Sequence, residues 1–253
     1  MTEQPSIART AIVTGAGSGI GAACASVLAS RGFAVAVADL NLDAATEVAA
    51  RITGAGGTAF PVHVDMVDKE SIVAMVAKAT EIGGPVVALV NNAGIAIAKP
   101  LLEYSVADWD LQLAVNLRGA FLALQAVVPQ MTEAGYGKIV NIASTAAFVS
   151  SSTPELPYDV SKAGIRQLTV SGSVELAPLG INVNAVAPGT IATALTTAVL
   201  DTPEKLKNAG AKIPANRLGA PEDIANAVAF LCSPDSDYVH AHTLVVDGGW
   251  LAQ

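Results

Sequence analysis

Seven short stretches of the chain are almost continuously apolar. They are TAIVTG at 10–15, AVAVAD at 34–39, TAFPVHVD at 58–65, VVALVNN at 86–92, GKIVNIAS at 137–144, INVNAVAPG at 181–189 and HTLVVDGG at 242–249. Runs of this length, rich in Val, Ile and Ala, predict strands covered on both faces. Longer stretches between them predict helices, among them GIGAACASVLASRG, LDAATEVAARIT and DKESIVAMVAKATEIG. APEDIANAVAFLCS predicts another from about Pro221, with proline in its first turn and two acids near the positive end of its dipole. Strands alternating with helices predict an α/β fold, a doubly wound parallel sheet of seven strands with helices on both faces. No linker, repeat or low-complexity stretch interrupts the chain, so residues 1–253 read as one domain. Two stretches break the alternation: the loop SSSTPELP at 150–157 and a long excursion over about 190–220, read as a substrate lid.

Composition narrows the class. Apolar residues make up 52% of the 253, enough for a large core. Gly, Asn, Asp or Lys breaks every apolar stretch before eighteen residues, which predicts no membrane span. The start, MTEQPSIART, lacks the pattern of a secretory signal, and a cytoplasmic location is expected. Cys24 and Cys232 lie far apart and read as core residues in a reducing compartment. A net charge of −8 disfavours nucleic acid, anionic membrane or an acidic carrier protein as partner.

Candidate chemistry begins at TGAGSGIG, 14–21, between the first strand and the first helix. Glycines there permit a tight turn and a close backbone approach to a phosphate, which the helix N-terminus favours. The spacing is Gly15-xxx-Gly19-x-Gly21 rather than GxGxxG. Asp39 ends the second strand, eighteen residues after Gly21. A carboxylate there can accept hydrogen bonds from an adenosine ribose and repels a 2′-phosphate. With Ser18 rather than a basic residue before Gly19, the pattern favours NAD over NADP. His63, His240 and His242 lack the spacing of metal ligands, and no metal is expected.

PYDVSKAG places Tyr158 and Lys162 one helical turn apart on one face. A cation beside a phenol stabilises the phenolate, so Lys162 is expected to lower the Tyr158 pKa. Taken with TGxxxGxG, Asn91-Asn92-Ala93-Gly94, Asn116 in AVNLRGAF, Ser144 in NIAS and Pro188-Gly189 in APGTIAT, the chain resembles the short-chain dehydrogenases/reductases of the one-domain kind. The resemblance runs from the first strand to VVDGG and implies a Rossmann-like fold.

It also implies roles. Tyr158 would be the general acid or base at the substrate oxygen, and Lys162 would assist it and bind the nicotinamide ribose. Ser144 would hold the substrate carbonyl or hydroxyl, and Asn116 a water of the proton relay. Gly15, Gly17, Ser18, Gly19, Ile20 and Gly21 would cradle the cofactor, with Asp39 and Leu40 at its adenosine ribose and Asp65 and Met66 at its adenine. Asn91, Ala93 and Gly94 would line it, and Pro188, Gly189, Ile191 and Thr193 would meet the nicotinamide end. The activity implied is NAD-dependent interconversion of a secondary alcohol and its ketone. The alternatives are an NADPH-dependent 3-oxoacyl-carrier reductase and a catalytically silent NAD-binding regulatory protein. Apolar candidate walls, GIAIAK after Asn92-Ala93, Phe148 and Leu195 to Leu200, suggest a small apolar alcohol or ketone. The helix around 113–128 is apolar nearly all round, and it is expected to pair with the helix after Tyr158 across a two-fold axis, giving a homotetramer.

Three departures from the family pattern stand out. Ser144 to Tyr158 spans fourteen positions, one more than usual. The extra residue is expected to bulge to solvent at the pocket rim, leaving the two hydroxyls within about 5 Å of each other. Asp159 stands where the family usually has a small residue and would oppose the phenolate weakly. His240-Ala241 replaces a frequent Thr-Gly.

Overall fold

The computed structural model describes residues 9–150, 153–193, 196 and 200–253. Its strands are β1 (Thr10–Thr14), β2 (Ala34–Asp39), β3 (Thr58–His63), β4 (Val86–Asn91), β5 (Gly137–Ile142), β6 (Ile181–Pro188) and β7 (Thr243–Val246). They form one sheet in the order β3-β2-β1-β4-β5-β6-β7, and every pair is parallel. This is the expected Rossmann-like arrangement. The strand residues divide between two cores by the period of two. Ala11, Val13, Val35 and Val37 face one layer, whereas Ile12, Ala36 and Ala38 face the other. Burial on both sides is why these strands read as unbroken apolar runs.

Helices α1 (Gly19–Ser30), α2 (Leu42–Gly54) and a late helix (Pro221–Leu231) cover the first layer through Leu28, Val48 and Ile224. Helix α3 (Lys69–Gly83) and helix α5 (Gly119–Ala134), which follows α4 (Val106–Leu113), cover the second through Ile72, Met75, Val127 and Met131. Helix α6 (Leu156–Leu176) joins that side through Ile165 and Leu176. The late helix is numbered α8, because the excursion holds a helix α7 at Pro203–Ala211. Its start is written in the sequence: the Thr202 hydroxyl accepts the Lys205 N–H at 3.2 Å, and Pro203 sits in the first turn.

Val106–Ala134 is long and apolar enough to cross a membrane by length and composition alone. Here its residues Ala123, Val127 and Met131 pack into the core beneath the sheet. A π-helical turn at Ala114–Arg118 links α4 to α5 and carries Asn116. The two cysteines, Cys24 of α1 and Cys232 at the end of α8, share one core cluster and are free thiols. Burial pushes the Cys232 thiol up to about 12 and raises Cys24 as well.

Ala241 explains one departure noted in the sequence. Its φ is 54°, a left-handed conformation that favours glycine. Its N–H is nevertheless held by the Ser173 hydroxyl at 2.9 Å. Ala241→Gly is expected to stabilise the chain by about 0.5–1 kcal/mol, the strain relieved less the extra freedom of the unfolded chain. A lower chemical denaturation midpoint in the variant would contradict this account.

Candidate active site

A parallel sheet places its ligand cleft outside the carboxyl ends of the strands, where the strand order reverses. In this chain β1 lies between β2 and β4, and a cleft of about 530 Å³ opens at that edge. Gly15, Ser18, Gly19, Ile20, Asp39, Leu40, Asp65 and Met66 line one part of it. Ala93, Gly94, Ser144, Tyr158, Lys162, Pro188, Gly189, Ile191 and Thr193 line the rest.

The glycine turn is shaped by close backbone approach. Gly15 has a φ of 64°, and a Cβ on it would lie 2.8 Å from the Ala93 Cα. A Cβ on Gly21 would lie 2.2 Å from the Gly15 carbonyl oxygen. Gly21 is buried in the packing of the turn and lies outside the cleft lining. Thr14 and Asn92, which the sequence reading left without a role, brace the turn. The Thr14 hydroxyl accepts the N–H groups of Asn92 and Ala93, both at 3.1 Å. The Asn92 amide donates to the carbonyls of Thr14 at 2.9 Å and Gly15 at 3.0 Å. Asn91 turns inward instead, donating to Asn141 at 2.9 Å beneath the cleft.

Asp39 is fixed at the end of β2. One carboxylate oxygen accepts the Gly17 N–H at 2.8 Å, and the other accepts the Asn41 N–H at 2.9 Å. Gly17 therefore stands behind Asp39, outside the cleft lining. A Cβ there would lie 2.9 Å from the carboxylate. Lys162 is the only cation among the described residues lining the cleft. The cradle, the helix N-terminus behind it and a carboxylate held at the end of β2 fit a dinucleotide.

Beyond Gly94 lies the polar centre. The Lys162 ammonium donates to the Ile142 carbonyl at 2.7 Å and stands 5.6 Å from the centre of the Tyr158 ring. Burial pushes Lys162 down to about 8. Tyr158 is raised above its ordinary value, first by burial and then by the nearby charges of Glu155 and Asp159; a hydrogen bond with Ser144 opposes them. The expected lowering by Lys162 is thus absent in the chain alone, because burial dominates and the ammonium is spent on a carbonyl. Asp159 does oppose the phenolate, as its position suggested.

Ser144 and Tyr158 both line the cleft despite the longer spacing, and Ser144 acts to lower the phenol pKa. Thr145 meanwhile begins a short 3₁₀ turn (Thr145–Ala147), capped by the Ser144 side chain. The expected bulge lies within SSSTPELP, of which residues 151 and 152 are outside the described residues.

Asn116 lies behind this centre rather than on the cleft surface. Its amide donates to the Ser161 hydroxyl at 3.0 Å, and that hydroxyl donates to the Tyr158 carbonyl at 2.7 Å. Ser161, which the sequence reading passed over, thus ties Asn116 to the helix that carries Tyr158. Of the expected apolar wall, Gly94, Ile95 and Ala96 line the cleft. Phe148 turns away beneath the Arg166 guanidinium, 4.9 Å from the ring centre. Residues 195 and 197–199 lie outside the described residues, and Leu200 is not in the lining.

The fold and this site define a nicotinamide-dependent oxidoreductase class, and comparison with known proteins agrees. Residues 15–251 match a family profile described as enoyl-(acyl carrier protein) reductase. The chain belongs to the short-chain dehydrogenase/reductase family. It is 41% identical to cis-4-hydroxycyclohexanecarboxylate dehydrogenase of Sinomonas cyclohexanicum, across 96% of this chain and 97% of that protein. Cyclopentanol dehydrogenase of Comamonas testosteroni is 34% identical, across 96% of this chain and 97% of that one. Among solved structures, a gluconate 5-dehydrogenase from Burkholderia cenocepacia J2315, in complex with NADP and tartrate, superposes with a TM-score of 0.90 at 34% identity, covering 97% of this chain and 96% of that one.

Proposed function

We propose that this chain is an NAD-dependent oxidoreductase that interconverts a small secondary alcohol and its ketone. The observation that carries the reading is the joining of Ser144, Tyr158 and Lys162 at one end of a cleft whose other part holds Asp39. A nicotinamide dinucleotide bound in this cleft supplies the carbon that takes or gives the hydride. The chain supplies the rest. In oxidation the Tyr158 oxygen takes the proton of the substrate hydroxyl, and in reduction it returns a proton to the carbonyl oxygen. The Ser144 hydroxyl, which lines the cleft with Tyr158, orients that same oxygen. Lys162 places positive charge beside the phenol, and Asn116 with Ser161 holds the helix that carries both. Thr190, Ile191, Thr193 and Thr196 bring the excursion to the cleft, as a lid over bound substrate would require.

Relatives that act on ring alcohols support a compact cyclic substrate, and the apolar wall at Ile95 and Ala96 suits one. A net charge of −8 tells against an acidic carrier protein as partner. An intact proton-transfer set tells against a silent binding protein.

NAD rather than NADP is proposed from Asp39, although the gluconate dehydrogenase above holds NADP. Wild type should turn over faster with NAD(H). Asp39→Ala, by removing a repulsion of at least about 1.4 kcal/mol, should narrow that preference at least about tenfold. Equal efficiency with the two cofactors in wild type would sink the assignment.

We also propose a homotetramer. A groove between the α4–α5 pair and α6, lined by Leu117, Phe121, Gly164 and Leu168, lies on the outer surface, and Phe121 is exposed. Light scattering at micromolar concentration should give about four times the chain mass. A monomer there would remove this part of the proposal.

A further inference from the structure

Residues 95–99, which follow Gly94, form neither helix nor strand. Side chains do the work that a neighbouring strand would do. Both backbone groups of Ile95 are taken by Asn116: its Oδ1 accepts the N–H at 2.8 Å, and its Nδ2 donates to the carbonyl at 2.9 Å. Two residues on, the Ile97 N–H donates to the Gln112 Oε1 at 3.0 Å, and the Ile97 carbonyl accepts the Tyr104 hydroxyl at 2.6 Å. The Lys99 N–H reaches the Tyr104 oxygen at 3.2 Å and the Pro154 carbonyl at 3.0 Å. The Tyr104 hydroxyl lies 3.1 Å from that same carbonyl.

The spacing explains the pattern. Gln112 and Asn116 are one helical turn apart, which advances about 6 Å. Two residues of extended chain advance about 6.6 Å, so amides one turn apart can grip alternate residues of the arm. The arm is held on one side by the helix that leads into Asn116. On the other it is held by Pro154, two residues before the helix that carries Tyr158. Ile95 and Ala96, at the gripped end, line the cleft beside Tyr158.

Gln112 is costly where it stands. It is fully buried, and its Nε2 has no hydrogen-bond partner among the described residues. A buried donor left unpaired carries its whole desolvation penalty. A Met side chain would fill a similar volume without that penalty. What Gln112 provides instead is the bond from Ile97, which fixes the arm.

We propose that Gln112 and Tyr104 are positioning residues that set the Ile95–Ala96 wall against Tyr158, and through it select among alcohols by ring size. This rests on the function proposed above. The test uses the full chain as wild type, Gln112→Met and Tyr104→Phe, with NAD and with cyclopentanol, cyclohexanol and open-chain secondary alcohols. In each variant KM for the cyclic alcohols should rise by about tenfold, as expected for a misplaced wall. The ratio of kcat/KM between the two rings should move toward one. The value of kcat should stay within about threefold and the Kd for NAD within about twofold, since the proton-transfer groups and the cradle are untouched. The melting temperature of Gln112→Met should not fall, which a purely structural role would not predict.

If wild type turns over no alcohol in the panel, the functional reading fails and the inference falls with it. If wild type is active and both variants keep its KM and ring selectivity, the inference alone is overturned. It is equally overturned if KM rises only together with a weaker Kd for NAD and a lower melting temperature in both variants.

Discussion

Tyr158→Phe should lower turnover by at least about 10²-fold, the lower end for loss of a general acid or base, while NAD still binds. The change keeps the ring and its packing and removes only the oxygen that exchanges a proton with substrate. Direction and pH make the expectation sharper. Burial holds the phenol above its ordinary value, so the acid form prevails at neutral pH. Ketone reduction uses that acid form, and alcohol oxidation needs the phenolate. Below the phenol pKa, oxidation by wild type should therefore climb with pH, approaching tenfold per unit where this step limits the rate. Reduction should not climb. In Tyr158→Phe the climb should vanish along with most of the rate. A variant with near-normal turnover, or one that keeps the climb, would remove Tyr158 from the mechanism.

Lys162→Met should inactivate the enzyme and stabilise the chain at the same time. Turnover should drop by about 10²–10³-fold, since a preorganised charge 5.6 Å from the centre of the Tyr158 ring is lost. The stability change has a sign set by burial, which depresses Lys162 from 10.5 to about 8. Below pH 8 the residue is charged in the folded and unfolded states alike, and the folded state carries the whole cost of burying that charge. Between about pH 8 and 10.5 the unfolded chain holds a proton that the folded chain has released, so wild-type stability rises with pH through this window. Met removes the cost but leaves the Ile142 carbonyl without its donor, a loss of about 1 kcal/mol. At pH 7 the variant should melt higher, by roughly 2–4 °C for each net kcal/mol relieved. The margin should shrink as pH rises from 8 to 10.5. A variant that melts lower than wild type at every pH would show that Lys162 is structural rather than a strained functional group.

The strands were legible because each is buried on both faces, and an unbroken apolar run carries that information without any neighbour. The place of Asp39 at the cleft was legible for a related reason: a carboxylate ending the second strand of a parallel sheet stands at its carboxyl edge, where the cleft opens. Gly17 and Gly21 are expected in the lining, and the chain also packs both tightly, Gly17 against Asp39 and Gly21 against the Gly15 carbonyl. Sequence spacing cannot separate a glycine that meets a ligand from one that meets a carboxylate or a carbonyl. Ser161 and Thr14 escaped notice because their value lies in partners about 45 and 78 residues away. The π-helical turn at Asn116 left no local signature, since its extra residue is set by what packs around it. Helix α7 could have been found from Thr202-Pro203-Glu204, a start signal hidden in a stretch read only as an excursion. The lowering of the Tyr158 pKa failed as an expectation because a spacing of four says who can meet, not how much water remains.

The two cysteines give this protein a built-in reporter of its own opening. Cys24 and Cys232 sit within one core cluster, and burial keeps both thiols protonated far above neutral pH. A thiol reagent attacks through the thiolate, so the folded chain should resist labelling without any cysteine being replaced. Because α1 and α8 seal that cluster from the same side of the sheet, reagent gains access only when the layer they form comes away. The rate of labelling would then count how often this layer departs, at concentrations and in buffers where a melting curve cannot be followed.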